Sequence, residues 1–444
     1  MSVLADTVRT LRASFEPLKH PNFRLYLGGQ GVSLIGTFLQ STAQAWVVWK
    51  LTGSESALGV VNILTSLPVL FLSMYAGVWA DRMDRRKLLI GTQIAAMLLA
   101  FILAFLTQTN LVQLWHVYVL AFILGIVTAL DMPTQTAFLG DLSGAGEMRK
   151  AINMNIMILQ ISRVLGPSLA GIIVARLGVG PAFWLNGFSF VAVIGSLILV
   201  RAAQAQPKIS EKVSPARQIR DGLAYVRQNP RMQDLFLFGV ILTFFVFSII
   251  MNLLPSVADK LLRGDAETYG TLLASSGAGA LIAVLFVVPL TQALKRSGRV
   301  MLLACFWLAF WLTVFAHSRV LPLSMLALFF GSMGAPTAMT MAMGLIQTLS
   351  PQEMRGRLAS LFTTISFGMQ PLAALWVGVI AEHFGVDTAI QINAALLATT
   401  AAGLYFFRHE IMTWVYATPA ELPIEQAEFA GATDLTLGAA PVGD

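Results

Sequence analysis

Apolar stretches long enough to cross a lipid bilayer recur twelve times along this chain, and no other feature limits its fold so tightly. Against a spanning length of about 20 residues, they fall near 25–49, 57–80, 88–107, 112–138, 152–176, 181–200, 233–256, 268–293, 299–317, 320–347, 358–382 and 387–407. A water-soluble fold has nowhere to hide so much apolar surface, since 56% of the 444 residues are hydrophobic and only 12% charged. Within lipid the backbone must satisfy its own hydrogen bonds, which makes each stretch a helix. The expected class is therefore an all-α polytopic membrane protein. Cys305 falls inside an apolar run, so neither a disulfide framework nor a zinc spacing exists.

Lysine and arginine set the orientation. Of the 29, 23 fall on one side if both termini are cytoplasmic, five on the other (Lys50, Arg176, Lys260, Arg263 and Arg319), and Arg163 lies within a span. Such a split supports an even number of crossings, with both termini in the cytoplasm of a cell whose plasma membrane the chain spans. The net charge of +6 then reflects topology and not nucleic-acid binding. Ahead of the first span, residues 1–20 form an amphipathic segment with Val8, Leu11, Phe15 and Leu18 on one face and no cleavable signal pattern.

The longest polar interval, 201–232, divides the chain into a six-helix bundle at 21–200 and another at 233–407. Within it Ile219, Leu223 and Val226 share a face opposite Arg217, Arg220 and Arg227, as an interfacial helix does, and Pro230 closes it. Residues 408–444 read as a flexible acidic tail. The halves repeat: Pro133, Glu147-Met148-Arg149, Ile161-Ser162 and Pro167 recur about 204 residues later as Pro336, Glu353-Met354-Arg355, Ile365-Ser366 and Pro371. Duplicated bundles around a central site are a common carrier design.

Between the second and third spans lies Gly77-Val78-Trp79-Ala80-Asp81-Arg82-Met83-Asp84-Arg85-Arg86-Lys87. This segment resembles the G-x-x-x-D-R-x-G-R-R loop of the major facilitator superfamily, with Asp84 standing at the second glycine. The resemblance implies the major facilitator fold, with Gly77, Asp81, Arg82, Arg85 and Arg86 in a charged loop that locks and releases the two bundles. Leu67-Pro68, Arg163-Val164-Leu165-Gly166-Pro167 with Ala170-Gly171, Asp221 to Val226 with Asn229-Pro230, and Arg355-Gly356-Arg357-Leu358 narrow it to the drug and siderophore exporter branch that includes the enterobactin exporter. That branch implies a proton-coupled antiporter exporting small molecules.

Other energy sources and chemistries are poorly supported. A phosphate-cradling loop ends in Lys-Ser or Lys-Thr, and no lysine here is followed by either. The expectation is no cofactor, with a proton gradient as driver. His20, His116, His317, His383 and His409 are scattered, with no H-E-x-x-H and no G-x-S-x-G, so neither a metal site nor an enzyme is expected.

Polar residues inside apolar spans mark a pathway or a helix contact. Gln30, Ser33, Thr37, Gln40 and Gln44 recur every three or four residues and form one stripe on the first span, read as cavity lining or as interhelical hydrogen bonding. Gln160, Asn252, Thr363 and Gln370 are further lining candidates. Asp131 is either an ion-pair partner, which the superfamily resemblance places on Arg85, or an acid that carries protons. Arg163, Gly166, Pro167 and Gly171 resemble a shortened antiporter motif; Arg163 also suits an anionic substrate. The expected function is export of amphiphilic small molecules by alternating access, as a monomer amid membrane lipids. A facilitator or lipid flippase of the same fold, or a non-transporting receptor, stands as the alternative.

Overall fold

The computed structural model describes residues 16–143, 147–200, 215–247, 249–293, 296–351, 353–408, 411 and 414. Most of the amphipathic start and nearly all of the acidic tail lie outside them. After a short 3-10 turn, Glu16–Lys19, the first bundle runs α1 Pro21–Thr52, α2 Glu55–Arg82, α3 Arg85–Gln108, α4 Leu114–Leu142, α5 Met148–Leu177 and α6 Val179–Leu199. A linker helix, Pro215–Gln228, leads to α7, which starts as Pro230–Leu242 and continues to residue 261 through wider π-helical turns. Then follow α8 (Ala266–Ile282, extended through Ala283–Val287 to Val288–Ala293), α9 Ser297–His317, α10 (Leu321–Gly331 and Gly334–Leu349), α11 Arg355–Phe384 and α12 Val386–Phe407.

Local chemistry places the helix ends. The Asp84, Asn229 and Asp265 side chains each accept from the first free backbone amides of α3, α7 and α8. Pro21 and Pro230 sit in first turns, where a missing N–H costs nothing. The duplication read in the sequence is also visible in the backbone. Gly178 (φ 83°) joins α5 to α6 as Gly385 (φ 91°) joins α11 to α12, both in the left-handed region that only glycine enters freely. Pro167 lies within α5 as Pro371 lies within α11.

Ten described helices are long and apolar enough to cross a membrane. Of the twelve expected crossings, α1 and α7 are not among these ten. The polar stripe of α1 dilutes its hydropathy, and α7 holds only 13 α-helical residues before it widens. Both nevertheless pack among the others: α1 rests on α5 and α6, and α7 rests on α11.

The chain enters α1 and leaves α12 on one side, here the terminal side, opposite the far side. Between bundles, α5 packs on α8 and α2 on α11. The half-chain repeat exchanges these two interfaces, since α5 corresponds to α11 and α2 to α8. One apolar core fills the second bundle and crosses to the first on the far side, where Trp46, Trp49 and Leu58 join Leu254, Tyr269 and Leu272. The terminal half of the first bundle has a core of its own around Phe23, Tyr26, Leu89, Phe138 and Phe190.

Candidate functional site

Cross-bundle contacts concentrate on the far side and form a closed latch. Glu55, the first residue of α2 and 1% exposed, accepts from the Lys260 ammonium at 2.7 Å and from the Ser256 hydroxyl at 2.5 Å. Asp259 accepts from Lys50 Nζ and from the Trp49 indole, each at 3.0 Å. Trp46 stacks on Tyr269 of the opposite bundle with ring centroids 6.1 Å apart, while Lys50 and Lys260 lie over the Trp46 and Trp49 rings. Charge-assisted bonds to a buried carboxylate belong to the strong class of polar contacts. Such a contact holds well while intact and leaves a costly group when broken.

Below the latch the bundles meet through glycine. A Cβ on Gly270 of α8 would fall 2.5 Å from the Gly171 Cα and 2.8 Å from the Pro167 carbonyl oxygen of α5. A Cβ on Gly378 of α11 would fall 2.8 Å from the Glu55 carbonyl oxygen. Asn62 of α2 donates to Asn252 Oδ1 of α7 at 2.6 Å. The lowest of these contacts bring Gly277 against Val164 and the Arg163 backbone, and Gly368 against Leu70, near the middle of their helices. These close approaches between the bundles, from Gly378 and Gly270 to Gly277 and Gly368, run from the latch to the middle of the helices.

The stripe on α1 divides. Gln30, Ser33 and Gln40 are buried in the first bundle, and Gln40 Oε1 accepts from Asn186 Nδ2 of α6 at 2.8 Å, an interhelical bond. Gly36 lets the two helices approach, since a Cβ there would strike Ser189 and Asn186. Thr37 is exposed and returns its hydroxyl to the Ser33 carbonyl, while Gln44 is half-buried. In the second bundle Asn252 is occupied by Asn62, Thr363 is exposed and Gln370 is half-buried. The Gln160 side chain lies outside the described residues.

Midway along α5, the Arg163 guanidinium lies 5.8 Å from the centroid of the Phe38 ring of α1. Gly166, one turn on, makes that approach possible, because a Cβ there would sit 2.5 Å from the Phe38 Cβ. Gly171, a turn and a half further, faces α8. The Arg-x-x-Gly-Pro stretch thus fits one helix against both bundles.

On the terminal side, Asp84, Arg85 and Arg86 of the charged loop tie α3 to its own bundle. Asp84 caps α3, accepting from the amides of Arg86 and Lys87 at 3.0 and 3.2 Å. Its φ of −63° needs no glycine, which accounts for the departure from the superfamily pattern. Arg86 donates to the carbonyls of Leu197 and Ile198, so a cation closes the negative end of α6. Side chains of Gly77, Asp81 and Arg82 lie outside the described residues.

The expected pairing of Asp131 with Arg85 is corrected: Arg85 Nη1 donates to both carboxylate oxygens of Asp141, at 2.8 and 2.9 Å. Asp131 instead accepts from Thr92 Oγ1 at 2.6 Å and Gln93 Nε2 at 2.9 Å. The reason is antiparallel register. Arg85 opens α3 and meets the end of α4, whereas Asp131 lies about 15 Å back along α4 and meets α3 two turns in.

Glu55, Lys260, Asp259, Lys50, Asn62 and Asp141 did not stand out as functional in the sequence. The available signal was a scarcity: Lys50 and Lys260 are two of only five cations assigned to the far side, and each has an acid nearby in sequence. Which acid each cation meets depends on contacts about 200 residues apart.

Two six-helix bundles latched to each other on the far side define a carrier of the two-bundle class. The sequence pattern described as transmembrane secretion effector matches residues 12–428, and the chain belongs to that family, in the efflux and siderophore-exporter branch of the major facilitator superfamily. It is 26% identical to the staphyloferrin A transporter of Staphylococcus aureus, over 85% of this chain and 94% of that one. It is 24% identical to macrolide efflux protein A of Streptococcus pyogenes, over 86% and 96%. Among solved structures, the nucleoside transporter NupG superposes with a TM-score of 0.68 over 87% of this chain and 99% of that one, at 12% identity, showing a shared fold. The chain is thus a multi-pass membrane transporter of small molecules, not an enzyme.

Proposed function

We propose that this chain is a proton-driven exporter of amphiphilic small molecules in the cell membrane, working as a single chain with both termini in the cytoplasm. The observation that carries the reading is the far-side latch. With 23 of 29 lysines and arginines assigned to the terminal side, the positive-inside rule makes the latched far side the exterior. A carrier shut on the exterior side is in the state from which an exporter loads its cargo. Relatives named for macrolide efflux and for staphyloferrin A transport support amphiphilic or siderophore cargo.

Asp131 supports a proton as the coupling ion. Its carboxylate has two neutral donors, Thr92 and Gln93, and no cation partner among the described residues. Gaining a proton there breaks no ion pair. Loss of the charge weakens both bonds to α3 and changes how α3 and α4 hold together, which makes the acid responsive to the proton gradient.

The test uses inverted membrane vesicles, given radiolabelled macrolide or staphyloferrin A. Uptake is expected only while a proton gradient stands, and Asp131→Asn is expected to remove that dependence while the protein still inserts and binds. Uptake that persists after the gradient is collapsed would sink the coupling claim. Uptake driven only by the cargo's own gradient would instead support a facilitator.

A further inference from the structure

Arg163 is a full positive charge in the middle of α5, about 22 Å of helix from either end, too deep for its side chain to reach water at a membrane surface. A guanidinium stays charged under all ordinary conditions, so a buried one needs an anionic or polar partner. Among the described residues none bears a carboxylate that pairs with it, and its Nε is buried without a hydrogen-bond partner. Asp131 is occupied on α3, and the acids of the latch are held by Lys50 and Lys260. What Arg163 does have is the ring of Phe38, 5.8 Å away on α1.

Its position matters as much as its lack of a partner. The Arg163 carbonyl oxygen would lie 3.3 Å from a Cβ on Gly277, where α5 lies against α8 midway along both helices. Arg163 therefore stands midway along the seam between the bundles, and on the exporter reading cargo loading from the terminal side meets it before it meets the latch. The neighbouring α1 face offers an aromatic ring and, one residue before it, the exposed Thr37.

We infer that Arg163 and Phe38 form the recognition point for an oxyanion of the transported molecule, a carboxylate being the group that matches the guanidinium fork. An apolar or aromatic portion adjoining the anion lies along Phe38. This rests on the exporter reading and narrows its cargo to amphiphiles with an anionic end. It also explains why a residue so costly to bury sits between Leu165, exposed at 43%, and buried Ser162: the partner arrives with the substrate.

A binding measurement without any gradient separates this inference from the transport reading. Purified protein in phosphatidylcholine nanodiscs is titrated with dansyl-aminohexanoate and with its methyl ester, which differ only in the charge, and binding is read from dansyl fluorescence. The wild type is expected to bind the acid at least tenfold more tightly than the ester. Arg163→Gln is expected to erase that preference while leaving ester binding and the thermal midpoint unchanged, and Arg163→Lys to keep part of it. Equal affinity of the wild type for acid and ester, no saturable binding of the acid, or an intact preference in Arg163→Gln would each overturn the inference. So would loss of the preference when phosphatidylglycerol is added to the nanodisc, because the anion at Arg163 would then be a lipid headgroup. A protein that shows the acid preference but no gradient-dependent uptake keeps this inference and loses the exporter reading; the reverse result does the opposite.

Discussion

Asp84 shows how a departure from a family pattern is explained by geometry. Standing where glycine is usual, it has an ordinary φ and spends its carboxylate on the first amides of α3. Asp84→Ala is expected to lower stability by about 1 kcal/mol, and Asp84→Gly by only a few tenths, measured as thermal midpoints in detergent. Equal losses would mean that capping is not its role. At this scale the sequence was readable where the chemistry is local. The α1 stripe was marked by its spacing and the charged loop by its resemblance to a family pattern, but the partner of Arg85 was misplaced because the antiparallel register of α3 and α4 is a tertiary fact. Arg163 stood out for a simple reason: an arginine in an apolar run has few bland explanations.

Among the elements, α5 carries the most. Its Gly166 admits α1, and its Gly171 meets Gly270 of α8 with backbone against backbone. Valine at position 270 would place two methyl groups where the Gly171 Cα and the Pro167 carbonyl already sit. Gly270→Val is therefore expected to leave each bundle folded but to prevent close approach of α5 and α8. The readout is a lower thermal midpoint together with increased labelling of a cysteine introduced at Ser256. Unchanged labelling would show that the glycine crossing does not hold the far side shut. The duplicated order of elements was visible from the 204-residue repeat, whereas the widening of α7 into π-helical turns left no mark on its apolar pattern. Periodicity reports which residues are buried, and a wider helix buries much the same ones.

For the molecule as a whole, the latch decides which side is shut. Glu55→Gln keeps an acceptor for Ser256 but removes the charge facing Lys260, which is itself half exposed to water. The loss is about 1 kcal/mol after solvent screening, shifting the balance between states roughly fivefold toward closure on the terminal side. Spin labels at exposed Met148, the start of α5, and Glu353, two residues before α11, report this as a growing short-distance population. Cys305, 1% exposed, does not compete for the label. A distance distribution identical to that of the wild type would remove Glu55 from the gate. The scarcity of far-side cations hinted at this gate, but its pairings were not readable, because ion pairs across more than 200 residues leave no periodic trace.

The glycine crossing has a mechanical consequence. Where α5 and α8 touch at Gly171 and Gly270, no side chain must change rotamer for one rod to pivot on the other, so the crossing serves as a bearing with little friction. It sits far off centre: six residues, roughly 9 Å, separate Gly171 from the far end of α5, and 23 residues, roughly 35 Å, from its start. The two lever arms differ about fourfold. Parting the Glu55–Lys260 level by some 2–3 Å would thus swing the opposite rim by about 10 Å, so that a few short polar bonds command an opening wide enough for a molecule to pass.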